Sequence, residues 1–310
     1  MRGPKTVLIV GFGNTGERVA RLLKGRYRVV ALIRKAEKAR NARRMGIRVL
    51  RGDLDRPQSL RSLASFGRLS GLRICHFAPP PGVGKRDQRT RNLIAALWPS
   101  KVNSKRAMLS RGTNQRLAYV STSGVYGDCD GAWVDESWPL RPQTARARRR
   151  VDAERTLLRF ARKSGLRASI LRAPGIVSES RLPLDRLKRG TPVLAAQDDV
   201  FVNHIHAQDL ARAAVAALNW ARRERVFNCV DDVPQLMGEY LSGVALRAGL
   251  PAPPRVLRVQ AREALPAMLF SFMEESRRLS NERIKRELKF DFCYPSVGTL
   301  LDKVFGARRS

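Results

Sequence analysis

Four groups of residues in this 310-residue chain have types and spacings suited to chemistry. The first is Gly11-Phe12-Gly13-Asn14-Thr15-Gly16, placed between the apolar run Lys5–Val10 and the helically spaced Val19, Leu22 and Leu23. In a strand–turn–helix context each glycine has a separate task. Gly11 permits the tight turn, Gly13 lets a pyrophosphate approach the backbone, and Gly16 lets the helix pack against the strand. Asn14 and Thr15 open the helix, whose first amides and partial positive charge suit a phosphate. The turn therefore predicts a bound dinucleotide.

The second group is Arg34-Lys35, at the end of the next apolar run. An acidic residue there would receive a ribose 2′-hydroxyl, whereas two cations suit a 2′-phosphate. NADP is expected ahead of NAD, the plainer reading being that both cations belong to a solvated basic surface. The third group joins Ser121, Thr122 and Tyr126 to the basic stretch Arg146–Arg150. Arginine recognises phosphate in a bidentate manner, so that stretch reads either as a clamp for a phosphorylated substrate or as a water-exposed helix face. The fourth is the histidine set. His204 and His206 lie two residues apart without a third ligand, and His76 sits inside an apolar run, so core roles are expected for all three.

These residues need a frame to hold them. Strand-like runs at 5–10, 28–33, 47–50, 72–78, 117–121 and 167–171 alternate with helical stretches at 17–24, 36–45, 58–66, 87–98 and 145–163. Such alternation predicts an α/β chain with a Rossmann-type doubly wound parallel sheet. Prolines at 174, 183 and 192 break the rhythm. The expected division is a dinucleotide-binding domain over 1–175, with a return strand near 226–230, and a smaller substrate-side C-terminal lobe over 176–310.

Composition narrows the classes further. Sixty Lys and Arg against 27 Asp and Glu give a formal charge of +33, which favours anionic ligands. The basic residues recur along the chain, with local runs at 101–111 and 146–150, and no aromatic-studded basic module stands out. Nucleic acid is thus the less favoured partner, behind an anionic small-molecule substrate. No stretch approaches the roughly 20 apolar residues of a membrane span, and no signal peptide is seen. Cys75, Cys129, Cys229 and Cys293 fit neither a zinc pattern nor a disulfide framework, so a cytoplasmic location is expected and no metal.

Five ordered stretches carry a family resemblance. Beside the glycine turn, Gly52-Asp53-Leu54, Tyr119–Gly127, Leu171–Gly175, Asn203–Leu210 and Leu279–Leu288 resemble the extended short-chain dehydrogenase/reductases. These form the NAD-dependent epimerase/dehydratase group, which includes nucleotide-sugar epimerases. The resemblance implies that Asp53, with Leu54 beside it, meets the adenine and that Ala78 borders the cofactor. It also implies that the segment Ser121–Ser123 faces the nicotinamide, with Thr122 in the position of the catalytic Ser or Thr. Helices flanking the sheet often make dimers in the group, so the resemblance leaves both a monomer and a homodimer open.

The same resemblance exposes a departure. The group carries a Tyr-x-x-x-Lys pair with a Glu four residues beyond the Lys. Anchored on Glu154, the tyrosine position falls on Arg146 and the lysine position on Arg150. Arginine stays protonated at any working pH and is a poor general base, although Arg150 can still neutralise charge and donate to a ribose. Tyr126 is then the nearest tyrosine able to act as surrogate, with Asp135 and Glu136 expected to border the same cleft. The chain so resembles an atypical subgroup without the pair. An NAD(P)-dependent epimerase, dehydratase or reductase acting on a nucleotide sugar or other phosphorylated metabolite is the first expectation. A non-catalytic NADP-binding sensor comes second, and an RNA-binding derivative of the fold third.

Overall fold

A computed structural model describes residues 5–99, 114–220 and 224–306; the basic run at 101–111 lies outside the described residues. Seven parallel strands form the central sheet: β1 (Thr6–Val10), β2 (Arg28–Ile33), β3 (Arg48–Arg51), β4 (Arg73–His76), β5 (Arg116–Thr122), β6 (Arg167–Ala173) and β7 (Arg225–Asn228). Their spatial order is β7-β6-β5-β4-β1-β2-β3. The order reverses between β1 and β4, so a crevice opens above the carboxyl ends of these strands, where ligands enter open α/β sheets.

The sheet is apolar on both faces because both are covered. Along β1, Val7 and Ile9 pack into one layer while Leu8 and Val10 pack into the other. The first layer is completed by α1 (Asn14–Leu23), α2 (Ala36–Arg44) and α7 (Ala207–Trp220). The second is completed by α3 (Leu63–Gly67), α4 (Gln88–Leu97) and α5 (Ala145–Ser164), which contributes Ala153, Leu157 and Ala161. Burying one such leucine contributes about 1.5–3 kcal/mol. This is the doubly wound arrangement that the alternation of elements predicts.

Beyond β6 a smaller lobe is built from α6 (Leu184–Lys188), α8 (Met237–Arg247), α9 (Arg258–Ala264), α10 (Ala267–Phe270) and α12 (Val297–Phe305), while α11 (Glu282–Leu288) packs back on the first sheet layer through Ile284 and Leu288. Val193, Leu194, Val200, Met237, Leu241 and Phe270 form part of its core. Short pairings tie it together: 175–177 with 204–206, 193–194 with 255–256, and 201–202 with 235–236. A fourth, parallel, joins Arg278-Leu279 of the lobe to Trp133-Val134 of the loop after β5.

Two elements differ from expectation. The helix expected at 58–66 is divided into a 3-10 turn, Pro57–Leu60, and the short α3. Asp209 lies in the first turn of α7 with its carboxylate buried. That carboxylate accepts the amides of Cys293 (3.0 Å) and Tyr294 (2.8 Å), so it tethers the C-terminal segment. The closing helix α12, capped by Ser296, was not expected. Among the described residues no helix is long and apolar enough to cross a membrane.

Candidate functional site

Two cavities open above the carboxyl ends of the central strands. The first, of about 400 Å³, is lined by Gly11, Gly13, Asn14, Thr15, Gly16, Arg34, Lys35, Asp53, Leu54 and Ala78, with Lys38, Arg89, Ile176 and Arg181 at its edges. Local backbone chemistry shapes it. Gly11 has φ +95°, and a Cβ there would lie 2.5 Å from the amide nitrogen of Ala78. A Cβ on Gly16 would lie 2.6 Å from the carbonyl oxygen of Gly11, while one on Gly13 would meet nothing within 4 Å. Gly13 is thus the open side of the turn. No side chain caps α1, so none competes for the amides that a helix start presents to an anion.

The far edge of this cavity holds both signs of charge. Arg34 is more than half exposed and lies 3.8 Å from Asp53 and 3.7 Å from Asp55. Arg89 holds Asp55 through two hydrogen bonds of 2.8 and 2.6 Å, and that bonding lowers the Asp55 pKa. Asp53, expected at the adenine, thus also faces the cation at 34, and Asp55 beside it carries no motif in the sequence.

The second cavity, of about 480 Å³, lies between the sheet and the smaller lobe and shares Ile176 and Arg181 with the first. Thr122, Ser123 and Gly124 form its sheet side, and the Thr122 hydroxyl accepts the amide of Gly124 at 3.3 Å. Arg146 enters from the start of α5, its guanidinium 4.8 Å from the ring centre of Phe272. The lobe contributes Arg186, His204, Tyr240, Glu275 and Arg277. Burial pushes His204 down to about 4 and raises the Tyr240 hydroxyl. Both are therefore neutral near pH 7, their rings 4.1 Å apart.

Ser121, Tyr126 and Arg150 line neither cavity. Ser121 turns its hydroxyl inward to Glu154 at 2.5 Å. Glu154 in turn pairs with the buried Arg172 at 2.9 Å, and Arg172 donates to the Tyr126 hydroxyl at 2.8 Å. Tyr126 donates to Asn228 at 2.7 Å, and Glu136 accepts the Asn228 amide at 2.8 Å. This corrects two expectations. Tyr126 is fully buried with its oxygen committed to Arg172 and Asn228, and burial pushes its pKa up to about 12. Glu136 faces that same network and Arg283, not the cleft, while Asp135 is exposed and bonded to Ser137. Arg150 donates to the Tyr119 hydroxyl and the Val120 carbonyl, both at 2.8 Å, so it braces β5 from below.

The histidines divide as well. His76 is buried against Thr90 at 2.9 Å, and burial pushes it down to about 3. His206 stacks on Tyr294, with ring centres 3.6 Å apart. Among the described residues no group of His, Cys, Asp and Glu is arranged to hold a metal ion. Glu275, Arg277, Tyr240 and Arg186 were missed in the sequence, because no local motif marks them and only the packing of the lobe brings them to Thr122.

Comparison with known proteins gives this geometry a context. Residues 7–229 match the model of the NAD dependent epimerase/dehydratase family. No curated protein matches the sequence. A functionally unknown conserved protein from Silicibacter pomeroyi superposes with a TM-score of 0.76 at 27% identity, covering 97% of this chain and 98% of its own. A UDP-glucose 4-epimerase from Thermotoga maritima, solved with UDP-glucose, superposes with a TM-score of 0.71 at 17% identity over 97% of each chain. MoeE5, solved with UDP-glucose and NAD, gives 0.65 at 21% identity, covering 96% of this chain and 97% of its own.

Proposed function

Since the chain belongs to the NAD dependent epimerase/dehydratase family, we propose that it is a dinucleotide-dependent oxidoreductase or epimerase acting on an anionic, nucleotide-linked sugar. The observation that carries this reading is the juxtaposition of the two cavities. An open glycine turn at an uncapped helix start lies beside a larger, arginine-lined cavity that contains Thr122.

The residues present fit a dinucleotide. Gly13 leaves room where a Cβ would project, the first amides of α1 suit a pyrophosphate, and Asp53 with Leu54 borders the adenine end. When bound, that group supplies hydride transfer. The chain's own part is to hold a substrate hydroxyl against Thr122 and to meet its anionic moiety with Arg146, Arg181 and Arg186. Solved relatives carry UDP-glucose, and UDP-glucose with NAD, which supports a substrate of this class.

The preference for NADP rests on Arg34, Lys35 and Lys38 at one edge of the first cavity. Arg34 is only loosely paired with Asp53 and Asp55, leaving it able to turn to a 2′-phosphate. Arg34→Ala should lower the ratio of NADPH to NADH affinity about tenfold, the worth of one charge-assisted contact. An unchanged ratio in fluorescence titration refutes the preference. A second reading, binding without turnover, is favoured by Arg146 standing in the tyrosine position. Reduction of the dinucleotide by UDP-glucose or a related sugar nucleotide, or epimerisation of that sugar nucleotide, separates the two, since a sensor binds and does not turn over.

A further inference from the structure

An active site of this kind needs a group that accepts the substrate's hydroxyl proton, and the tyrosine position holds Arg146. Three neighbours fail as substitutes. Tyr126 is walled off behind the sheet end, with its oxygen bonded to Arg172 and Asn228. His204 keeps its Nδ1 buried without a hydrogen-bond partner among the described residues and is too weakly basic to hold a proton near neutrality. Tyr240 is protonated well beyond neutral pH, which makes it a donor.

Glu275 remains. It lines the second cavity, and its side chain is 9% exposed. Its Oε2 accepts from Arg277 at 2.8 Å, while Oε1 is buried without a hydrogen-bond partner among the described residues. The point where a methyl group on Gly124 would sit is 3.7 Å from Thr122 Oγ1 and 3.8 Å from Glu275 Oε2. The Thr122 hydroxyl and the Glu275 carboxylate therefore face the same space beside Gly124, within one cavity. The segment that follows Glu275 is held firmly. The Ser276 amide donates to Asp128 at 2.7 Å, and Ser276 O accepts the amides of Cys129 and Gly131, both at 3.0 Å. Arg277 donates to Gly127 O at 2.6 Å, and 278–279 pair with 133–134.

We propose that Glu275 is the catalytic proton acceptor of this enzyme, supplied by the C-terminal lobe in place of the tyrosine that α5 lacks. The proposal rests on the oxidoreductase reading above. The substrate's secondary alcohol gives its proton to the Glu275 carboxylate as its carbinol hydrogen leaves as hydride to the oxidised dinucleotide. A ketone, a protonated Glu275 and the reduced dinucleotide result, with no atom or charge left over. Thr122 donates to the same oxygen and fixes its place, and Arg277 keeps the carboxylate turned toward it. In the reverse direction the protonated Glu275 returns the proton to the alkoxide.

The test uses the full-length protein, oxidised dinucleotide, and UDP-glucose, UDP-N-acetylglucosamine and UDP-glucuronic acid as probes. Formation of reduced dinucleotide or of the epimeric sugar nucleotide gives kcat, and calorimetry on the cofactor-free protein gives the affinity for each sugar nucleotide. Glu275→Gln preserves shape and an acceptor for Arg277; it should lower kcat by about 100-fold or more while affinity stays within about threefold. Glu275→Asp, which withdraws the carboxylate by one methylene, should fall between the two. A Gln variant with kcat within about threefold of the wild type overturns the proposal and leaves the oxidoreductase reading standing. Equal losses of kcat and affinity mark a binding role and also overturn it. If the Gln variant does not fold, the Asp variant decides: a loss of about tenfold supports the proposal, and a wild-type kcat overturns it. A wild-type protein that neither reduces the dinucleotide nor epimerises any probe overturns both readings together.

Discussion

At the scale of single residues, what was legible in the sequence was what depends on immediate neighbours. The Gly11–Gly16 turn announces itself because a strand, three glycines and a helix follow one another without interruption, and the structure brings all its members to one cavity. Glu275 could not be read. Its surroundings, Met273-Glu274-Glu275-Ser276, carry no motif, and Thr122 is reached only by contacts between distant segments. Tyr126 was over-read for the opposite reason: sequence proximity to Thr122 says nothing about where the 3-10 turn Ser123–Val125 between them sends the next side chain. The glycines offer a sharp contrast. Gly13→Val should leave the melting temperature within a few degrees, because a Cβ there meets nothing within 4 Å, yet weaken dinucleotide binding at least about 100-fold by filling the turn. Gly11→Ala should instead destabilise the fold, since its φ of +95° and the close Ala78 amide leave no place for a methyl group. Thermal melts alongside cofactor titration separate the two effects. Similar affinity in wild type and Gly13→Val would remove the turn from the binding site.

At the scale of elements, the sheet and its crossover helices follow from apolar runs and turn residues, which is why their bounds fall within a few residues of expectation. The short pairings of the lobe do not, because two-residue strands have no periodicity to detect. The same is true of the buried chain from Ser121 through Glu154, Arg172 and Tyr126 to Asn228 and Glu136. It links the ends of β5, β6 and β7 to α5, and its arginine and glutamate are almost fully buried. A buried pair is costly to break from one side, because the charge left behind has no partner and little water. Arg172→Met should therefore lower unfolding free energy by about 3–5 kcal/mol in urea titration. It should also disturb Thr122, which follows Ser121 directly. A loss under about 1 kcal/mol would show that water enters to replace the guanidinium.

At the scale of the whole molecule, the formal charge of +33 suggested a polyanion partner, but many arginines are spent inside the protein. Arg149 donates to Gly84 O at 2.9 Å, Arg212 to Asp291 O at 2.7 Å and Arg278 to Gly131 O at 2.6 Å. Such bonds fasten loops by their carbonyls, a use that composition cannot distinguish from a binding surface. Buried neutral imidazoles set the acid response. His76 and His204 have folded-state values of about 3 and about 4, below the ordinary 6.5, so the unfolded chain binds more protons between about pH 4 and 6.5. Stability should accordingly fall as pH is lowered through that window, each histidine contributing up to about 1.4 kcal/mol per pH unit. His76→Asn should flatten the slope of urea-derived stability against pH, and an unchanged slope would show that His76 is not titrating on unfolding. One more consequence follows from the wall that the two cavities share. Ile176 and Arg181 border both, and a ligand that displaces Arg181 on one side alters what the other ligand meets. The two occupancies are thermodynamically linked through that segment. By whatever factor a dinucleotide changes the affinity for a sugar nucleotide, the sugar nucleotide changes the affinity for the dinucleotide by the same factor.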